Sequence, residues 1–325
     1  MSNSLFGPLD DVAGDAGHVD HPPRMGFFTD TSICIGCKAC EVACKQWNGV
    51  PAGDELDLLG MSHDNTGELG ANSWRHVAFI EQAPTSPVDP PANLGMPGMQ
   101  PPGAATGAET RTDFRWLMAS DVCKHCTHAG CLDVCPTGAL FRTEFGTVVV
   151  QQDICNGCGY CVSGCPYGVI EQDEHSKVAQ KCTLCYDRLQ GGMEPACAKA
   201  CPTQSIQFGP LDELRGKAQQ RVDALHSTGV SEARLYGASD DDVYGGLNAF
   251  FLLMDEPEAY NLPNKENAVL PSRNNERGYL TTLVTAVAAV VGGLIALRRR
   301  REPPPAPEPA APPPSPKPDE AEVAA

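Results

Sequence analysis

The stretch Cys155-Asn-Gly-Cys158-Gly-Tyr-Cys161-Val-Ser-Gly-Cys165-Pro166 contains the pattern on which the rest of the chain is organised. Its cysteines follow the spacing C-x2-C-x2-C-x3-C, and a proline follows the last one. The same spacing occurs earlier in the chain, at Cys34, Cys37, Cys40 and Cys44. Two other quartets relax an inner gap but keep the ending C-x3-C-P: Cys123, Cys126, Cys131 and Cys135, then Cys182, Cys185, Cys197 and Cys201. Numbered in chain order, quartets one to four use all 16 cysteines of the 325-residue chain.

This spacing is typical of ligands to iron–sulfur clusters. Three thiolates at C-x2-C-x2-C converge on one inorganic core, and the fourth cysteine ligates the other cluster of a pair. The 16 thiolates therefore predict four [4Fe–4S] clusters. A disulfide framework is less consistent, because it is typical of short secreted chains with more than roughly 8–10% cysteine. Zinc remains an alternative, although structural zinc sites usually set two C-x2-C pairs apart.

A predicted hairpin decides which quartets belong together. Between quartets two and three the chain reads Leu140-Phe-Arg-Thr-Glu-Phe-Gly146-Thr-Val-Val-Val150. Two β-rich runs around a short turn with glycine predict a β-hairpin. So short a connection keeps quartets two and three in one two-cluster lobe, and quartets one and four then form the other.

Exchange of the fourth ligand within each lobe predicts four ligand sets. Site 1 consists of Cys34, Cys37, Cys40 and Cys201. Site 2 consists of Cys44, Cys182, Cys185 and Cys197. Site 3 consists of Cys123, Cys126, Cys131 and Cys165. Site 4 consists of Cys135, Cys155, Cys158 and Cys161. No catalytic residue is predicted, because the sequence shows neither a nucleotide-binding glycine fingerprint nor a nucleophilic triad. His125 and His128 in quartet two could donate hydrogen bonds to cluster sulfurs, but partly exposed loop positions are the simpler interpretation.

The predicted fold class is α+β, with two bacterial-ferredoxin-like lobes, loop insertions, one C-terminal transmembrane helix and a disordered tail. A helix is predicted from Pro210 to about Leu225, a strand from Trp74 to Gln82, and a buried strand within 245–254. The predicted segments are a flexible arm at 1–25, the four-cluster domain at 26–210 with a flexible Pro/Gly-rich insertion at 83–110, an extension and connector at 211–278, the transmembrane helix at 279–297 and the tail at 298–325.

Charge and hydropathy predict a membrane anchor rather than a nucleic-acid partner. The net charge of −17 argues against nucleic acid binding. Residues 279–297 contain no charged side chain and would form a helix about 28 Å long, close to the thickness of a bilayer core. A buried core helix is the alternative. Four arginines follow at 298–301, so the positive-inside rule predicts a single pass with the C-terminus in the cytoplasm and the cluster domain on the outer, periplasmic face. Residues 1–24 do not resemble a signal peptide.

Several stretches resemble the iron–sulfur (β) subunit of formate dehydrogenases. They are Phe27-Phe-Thr-Asp-Thr-Ser-Ile-Cys34 continued to Trp47-Asn48, Cys123-Lys-His-Cys-Thr-His-Ala-Gly-Cys131, quartet three with Pro-Tyr-Gly168, the C-x2-C-x11-C-x3-C-P of quartet four, Gly245-Gly-Leu-Asn248 and Asp255-Glu-Pro-Glu-Ala-Tyr-Asn-Leu-Pro263. The quartets alone are shared with iron–sulfur subunits of other molybdopterin oxidoreductases and of membrane hydrogenases. The block after quartet four and the single anchor favour formate dehydrogenase.

The resemblance implies a complex of several subunits. A catalytic subunit with a molybdenum or tungsten bis-pterin would oxidise formate. This chain would pass the electrons through its four clusters to a membrane cytochrome b or directly to quinone, without catalysing a reaction itself. The family's β subunit leaves the cytoplasm folded, together with a catalytic subunit that carries a twin-arginine signal. The insertion at 83–110 and the Pro-rich tail depart from the family's better-known members.

Overall fold

The computed structural model describes residues 9, 11–52, 63–64, 66–82, 114–270 and 276–301. The predicted insertion at 83–110 and nearly all of the predicted tail lie outside the described residues. The chain divides into two compact units, Met1–Asn274 and Asn275–Ala325.

The elements of the first unit are short, and most of them flank a cysteine quartet. Its strands are β1 Met25–Asp30, β2 Arg75–Gln82, β3 Arg115–Val122, β4 Leu140–Arg142, β5 Val148–Val150, β6 Glu171–Gln172, β7 Ala179–Gln180, β8 Ile206–Pro210, β9 Arg234–Tyr236 and β10 Ala249–Leu253. Its α-helices are α1 Ala39–Asn48, α2 Gly130–Asp133, α3 Tyr160–Ser163, α4 Tyr186–Gln190, α5 Ala196–Lys199 and α6 Leu211–Ser227. Single 3-10 turns lie at Thr31–Ile33, Val243–Gly245 and Pro257–Tyr260.

Two lobes of similar construction organise this unit. In one lobe, β1 before quartet one pairs antiparallel with β8 after quartet four, from Met25↔Pro210 to Thr29↔Ile206. In the other lobe, β4 and β5 form the predicted hairpin, with Leu140 opposite Val150. Helix α1 packs on α5, and α2 packs on α3. The predicted combination of quartets, two with three and one with four, is therefore the one seen in the strand pairing, and the α+β class is confirmed.

The segment after quartet four completes the sheet of the first lobe. Its strand order is β8-β1-β10-β9, and β10 runs parallel to β1 with Phe28 opposite Phe250. Helix α6 covers this sheet with Leu211, Leu214, Ala218 and Val222, which are all buried. The helix and the buried strand expected here are thus both present. All five side chains of β10 are buried, so the strand needs cover on both faces. This need explains why β10 lies inside the lobe's own sheet, paired in parallel with β1.

A separate hairpin is formed by β2 and β3, which pair over eight residues from Arg75↔Val122 to Gln82↔Arg115. Strand β2 agrees with the strand expected at 74–82 and packs against α1. The start of β2 and the end of β3 lie beside quartet one and lead into quartet two. The hairpin therefore brings residues from outside both lobes next to the cysteines.

The described part of the expected N-terminal arm contacts the cluster domain. Val12 and Ala13 are buried. The Nε2 atom of His18 lies 2.8 Å from the carbonyl oxygen of Arg142, at the end of β4. At these points the described part of the arm packs against the rest of the first unit.

The second unit contains one described helix, α7, from Glu276 to Arg301. Its segment Gly278–Arg298 has a mean hydropathy of 2.3 and is long and apolar enough to cross a membrane. Its apolar side chains are exposed along the described length. A hydrocarbon environment would remove the cost of that exposure, so the segment is a candidate membrane anchor.

Candidate iron–sulfur sites

The four quartets share one local conformation. In each quartet the third cysteine is the second residue of a short helix: Cys40 in α1, Cys131 in α2, Cys161 in α3 and Cys197 in α5. The fourth cysteine follows four residues later, one helical turn further on. Side chains at i and i+4 lie on the same face of a helix. Helix α1 therefore carries both Cys40 and Cys44 on one face, whereas α2, α3 and α5 end two residues before the fourth cysteine.

The loops before these helices need left-handed backbone between the first two cysteines. Gly36 has a φ of 65°, and a Cβ there would lie 2.7 Å from Phe79 Cε1. Gly157 has a φ of 69°, and a Cβ there would lie 2.7 Å from the carbonyl oxygen of Lys177. Glycine is the residue that meets both demands. In quartet four, Leu184 takes the left-handed conformation, and its N–H donates to Cys182 Sγ at 3.3 Å.

Site 1 is a small cavity that is partly open to solvent. Its lining includes all four predicted cysteines, Cys34, Cys37, Cys40 and Cys201. The sulfurs come from two distant parts of the sequence that the β1–β8 pairing brings together. Burial raises the pKa of the Cys34 thiol, and the neighbouring sulfurs of Cys40 and Cys201 raise it further.

Site 3 is a cavity of similar size and is also partly open to solvent. Its lining again includes the four predicted cysteines, Cys123, Cys126, Cys131 and Cys165. Burial raises the pKa of Cys131 to about 12, although the ammonium of Lys181 opposes this shift. Such thiols are protonated before ligation, and ligation displaces their protons, so cluster binding is coupled to proton release.

At site 2 the side-chain amide of Asn48 donates to two sulfurs, Cys44 Sγ at 3.6 Å and Cys185 Sγ at 3.8 Å. Burial raises the pKa of Cys44 to about 12, and the sulfurs of Cys197, Cys185 and Cys40 raise it further. Burial also raises the pKa of Cys161 to about 11, with additional contributions from Cys155, Cys135 and Cys158. Apart from Cys40, which is expected at site 1, these neighbours belong to the ligand sets expected for sites 2 and 4.

The donor sets fit a multi-iron core. All 16 cysteines are free thiols, so disulfides do not consume them. Within the described ranges, no three side chains of the His, Cys, Asp or Glu type are arranged to hold a single metal ion. At sites 1 and 3 four cysteines instead line one cavity, as expected for a group with several iron and sulfide atoms. This arrangement favours iron–sulfur clusters over the zinc alternative.

Site 2 lies near site 3 of the other lobe. Burial raises the pKa of Cys182 at site 2 well above its ordinary value, and its sulfur neighbours include Cys123 of site 3 as well as Cys44. The two sites within each lobe share a crossed pair of helices. With the expected ligand sets, this proximity would give a row of sites in the order 1, 2, 3, 4.

The expectation for His125 is wrong, because its side chain is 1% exposed rather than partly exposed. The loop of quartet two is covered by the C-terminal extension, where the N–H of Ala249 donates to the carbonyl of Lys124. His125 Nδ1 accepts a hydrogen bond from the N–H of Val148 at 3.1 Å, which places the proton on Nε2. This Nε2–H lacks a partner among the described residues, and the ring lines site 3. It is a donor suited to a cluster sulfur. His128 is half-buried.

Sequence reasoning missed three buried cations beside the cysteines: Arg75, Lys124 and Lys181, each 1% exposed. The ammonium of Lys124 lies 4.9 Å from the centre of the Tyr167 ring, and Lys181 donates to the carbonyl of Cys182 at 2.9 Å. The two lysines each adjoin a cysteine in the sequence, and that position could have identified them as neighbours of the clusters. No local signal marks Arg75, because it reaches the sites only through the β2–β3 hairpin.

Comparison with known proteins agrees with this geometry. Residues 33–139 and 114–211 each match the family model of a 4Fe-4S dicluster domain. The chain is 37% identical over 245 residues to the formate dehydrogenase iron–sulfur subunit of Haemophilus influenzae, which covers 74% of this chain and 69% of the relative. It is 34% identical over 280 residues to the nitrate-inducible formate dehydrogenase iron–sulfur subunit of Escherichia coli, which covers 85% of each. This chain belongs to the formate dehydrogenase iron–sulfur subunit family.

The resemblance drawn from the motifs is thereby confirmed, as are the two-lobe fold class and the [4Fe–4S] clusters. As a member of this family, the chain is an electron-transfer subunit rather than a catalytic one. The family is related to other oxidoreductase subunits. A subunit of the anaerobic dimethyl sulfoxide reductase of Escherichia coli is 34% identical over 195 residues, which covers 60% of this chain and 77% of the relative.

Proposed function

We propose that this chain is the electron-transfer subunit of a membrane-bound formate dehydrogenase. It would receive electrons from a catalytic subunit with a molybdenum or tungsten bis-pterin and pass them to a membrane cytochrome b or to quinone. The observation that carries the proposal is the match to formate dehydrogenase subunits, which extends over 85% of the chain and includes more than the quartets.

A second function is the same role beside another molybdopterin oxidoreductase or a membrane hydrogenase. The dimethyl sulfoxide reductase relative favours this alternative, but its match covers only 60% of the chain. The longer match therefore supports formate as the electron source.

The cysteines of the four sites are proposed to hold the four clusters in the sets predicted above. Cys34, Cys37, Cys40 and Cys201 belong to site 1, and the cavity that they line supports this set. The cavity at Cys123, Cys126, Cys131 and Cys165 supports the set of site 3. The neighbouring sulfurs of Cys44 and Cys161 support the sets of sites 2 and 4. Each bound cluster supplies a one-electron redox couple.

The protein shields the middle of the row of sites and exposes its two ends. Cys37 of site 1 and Cys158 of site 4 are exposed, whereas the other cysteines are buried or half-buried. One large exposed side chain lies two residues from each of these cysteines: Ile35 near Cys37 and Tyr160 near Cys158, each 59% exposed. Exposed apolar groups around a redox site suit contact with a partner subunit. Sites 1 and 4 are therefore proposed as the two points of electron exchange.

The membrane part of the proposal is a single pass through α7. The arginines at 298–301 favour the cytoplasmic side for the C-terminus, so the cluster domain would lie on the periplasmic face. A tag placed after Arg301 should be protected from protease in intact cells and accessible after lysis. Cleavage of the tag in intact cells would reverse the proposed orientation.

The partner is tested by purifying the native complex through this chain. The expected result is a co-purifying large pterin-containing subunit, and reduction of the iron–sulfur absorbance by formate. Iron and labile sulfide should each reach about sixteen per chain. If hydrogen reduces the clusters and formate does not, the result supports the alternative function beside a hydrogenase. Stoichiometric zinc without iron would refute the redox role.

A further inference from the structure

Arg75 occupies an unusual position for a charged residue. It is the first residue of β2, in the hairpin that belongs to neither ferredoxin-like lobe, and its side chain is 1% exposed. A fully buried guanidinium is costly unless negative charge or hydrogen-bond acceptors surround it. The groups around Arg75 therefore indicate what it serves.

The guanidinium contacts the sulfur ligands of two different sites. On one side, Nη2 donates to Cys197 Sγ of site 2 at 3.4 Å. On the other side, Nη1 donates to Ser120 Oγ at 3.2 Å. Ser120 Oγ in turn lies 3.2 Å from Cys40 Sγ of site 1. Arg75 thus reaches one site directly and its neighbour through one hydroxyl group.

Other contacts hold the guanidinium in this position. Nη1 also donates to the carbonyl oxygen of Ser120 at 3.2 Å. The guanidinium carbon lies 4.9 Å from the centre of the Phe27 ring, which belongs to β1 of the cluster lobe. The Nε–H has no hydrogen-bond partner in the described part of the chain. The side chain is therefore clamped between β3 and β1.

The compensating charge comes from the sulfurs. Among the described residues, no carboxylate forms an ion pair with Arg75. The sulfurs within hydrogen-bond reach of Arg75, Cys197 directly and Cys40 through Ser120, become thiolates when they ligate a cluster. They belong to both sites of this lobe. Arginine stays protonated in proteins, so the cation is permanent.

We propose that Arg75 is a positioning residue that sets the reduction potentials of the clusters at sites 1 and 2. Reduction adds negative charge to a thiolate-ligated cluster, and net charge and hydrogen bonds to sulfur are among the factors that set the potential. A cation buried between two such sites favours the reduced state of both. Arg75 therefore raises both potentials and reduces the electrostatic cost of an electron on either site. This inference rests on the proposed ligand sets but not on formate as the electron source.

The test compares charge-removing and charge-keeping variants of the full chain in its native complex. EPR-monitored redox titration with chemical mediators measures each cluster potential, and iron content measures loading. For Arg75→Gln, we expect the equilibrium constant for reduction to fall about tenfold at two of the clusters, or about 59 mV for one electron. For Arg75→Lys, which keeps the charge, we expect a change of less than about threefold.

A matched control lies on the same hairpin. Arg115 in β3 pairs with Asp255 at 2.7 Å rather than with a cysteine, so Arg115→Gln should leave all four potentials unchanged. Failure of Arg75→Gln to load clusters while Arg75→Lys loads normally would also support the need for the charge. Unchanged potentials in Arg75→Gln would overturn the proposal. So would an Arg75→Lys variant that shifts the potentials as far as Arg75→Gln or fails to load, because the role would then be steric. A complex that titrates as expected but does not respond to formate would count against the proposed function alone.

Discussion

The crossing of the fourth cysteines can be tested by counting intact clusters in paired variants. Cys197 and Cys201 lie four residues apart at α5, yet the proposed sets assign them to sites 2 and 1. Cys34 and Cys201 are far apart in sequence, yet both line the cavity of site 1. If the sets are right, Cys34→Ala with Cys201→Ala damages one cluster and leaves three intact. Cys197→Ala with Cys201→Ala damages two clusters and leaves two intact.

Each cluster holds about a quarter of the iron, so the two outcomes are well separated. Mössbauer spectroscopy of 57Fe-labelled protein counts intact [4Fe–4S] clusters, and EPR of the oxidised protein detects damaged [3Fe–4S] products. Ligation within each quartet would give the reverse pattern, with two intact clusters for the distant pair and three for the adjacent pair. That pattern would refute the crossed assignment. The second lobe provides a replicate: Cys123 with Cys165 should damage one cluster, and Cys161 with Cys165 should damage two.

Three further predictions concern the loop, the metal and the anchor. Gly157→Ala should lower stability by more than the roughly 1–2 kcal/mol of a left-handed alanine, because its Cβ would meet Lys177 O at 2.7 Å. At Gly168, φ is 64° but an added Cβ would have no atom within 4 Å, so Gly168→Ala should lower stability only by the cost of the left-handed backbone. Thermal melts and iron content of the two variants measure the difference. Removal of iron by a chelator should abolish cooperative unfolding of the first unit and increase its proteolysis, because the cysteine-lined space loses its contents. Val287→Lys should weaken membrane insertion by about 2.5–3.5 kcal/mol, whereas Val287→Leu should not, as measured by alkaline carbonate extraction.

Much of the cluster domain was predictable because its information is local. The cysteine spacings specify short loops followed by a helical turn, and the strand runs beside them specify the β4–β5 hairpin. The hairpin then determined which quartets share a lobe, since so short a turn cannot separate its two strands. The apolar run of α7 and the amphipathic pattern of α6 are likewise local.

The unpredicted features depend on contacts between distant segments. His125 reads as a polar loop residue, but β5 and the segment at Asn248–Ala249 cover it. Strand β10 reads as a buried apolar run, but only the assembled sheet shows that it lies parallel to β1. The ligand sets themselves stay a proposal, although the cavities at sites 1 and 3 agree with them.

The sequence by itself determined the cofactor class, the two-lobe construction and the candidate anchor. Residue spacing sets those features, and spacing is a property of the chain. The tertiary structure decided which charges surround the sulfurs. Arg75 lies more than 100 residues from Cys197 in the chain, and the β2–β3 hairpin alone places its guanidinium 3.4 Å from that sulfur. Electrostatic interactions depend on distance in space and on burial, and neither is written in the order of the residues.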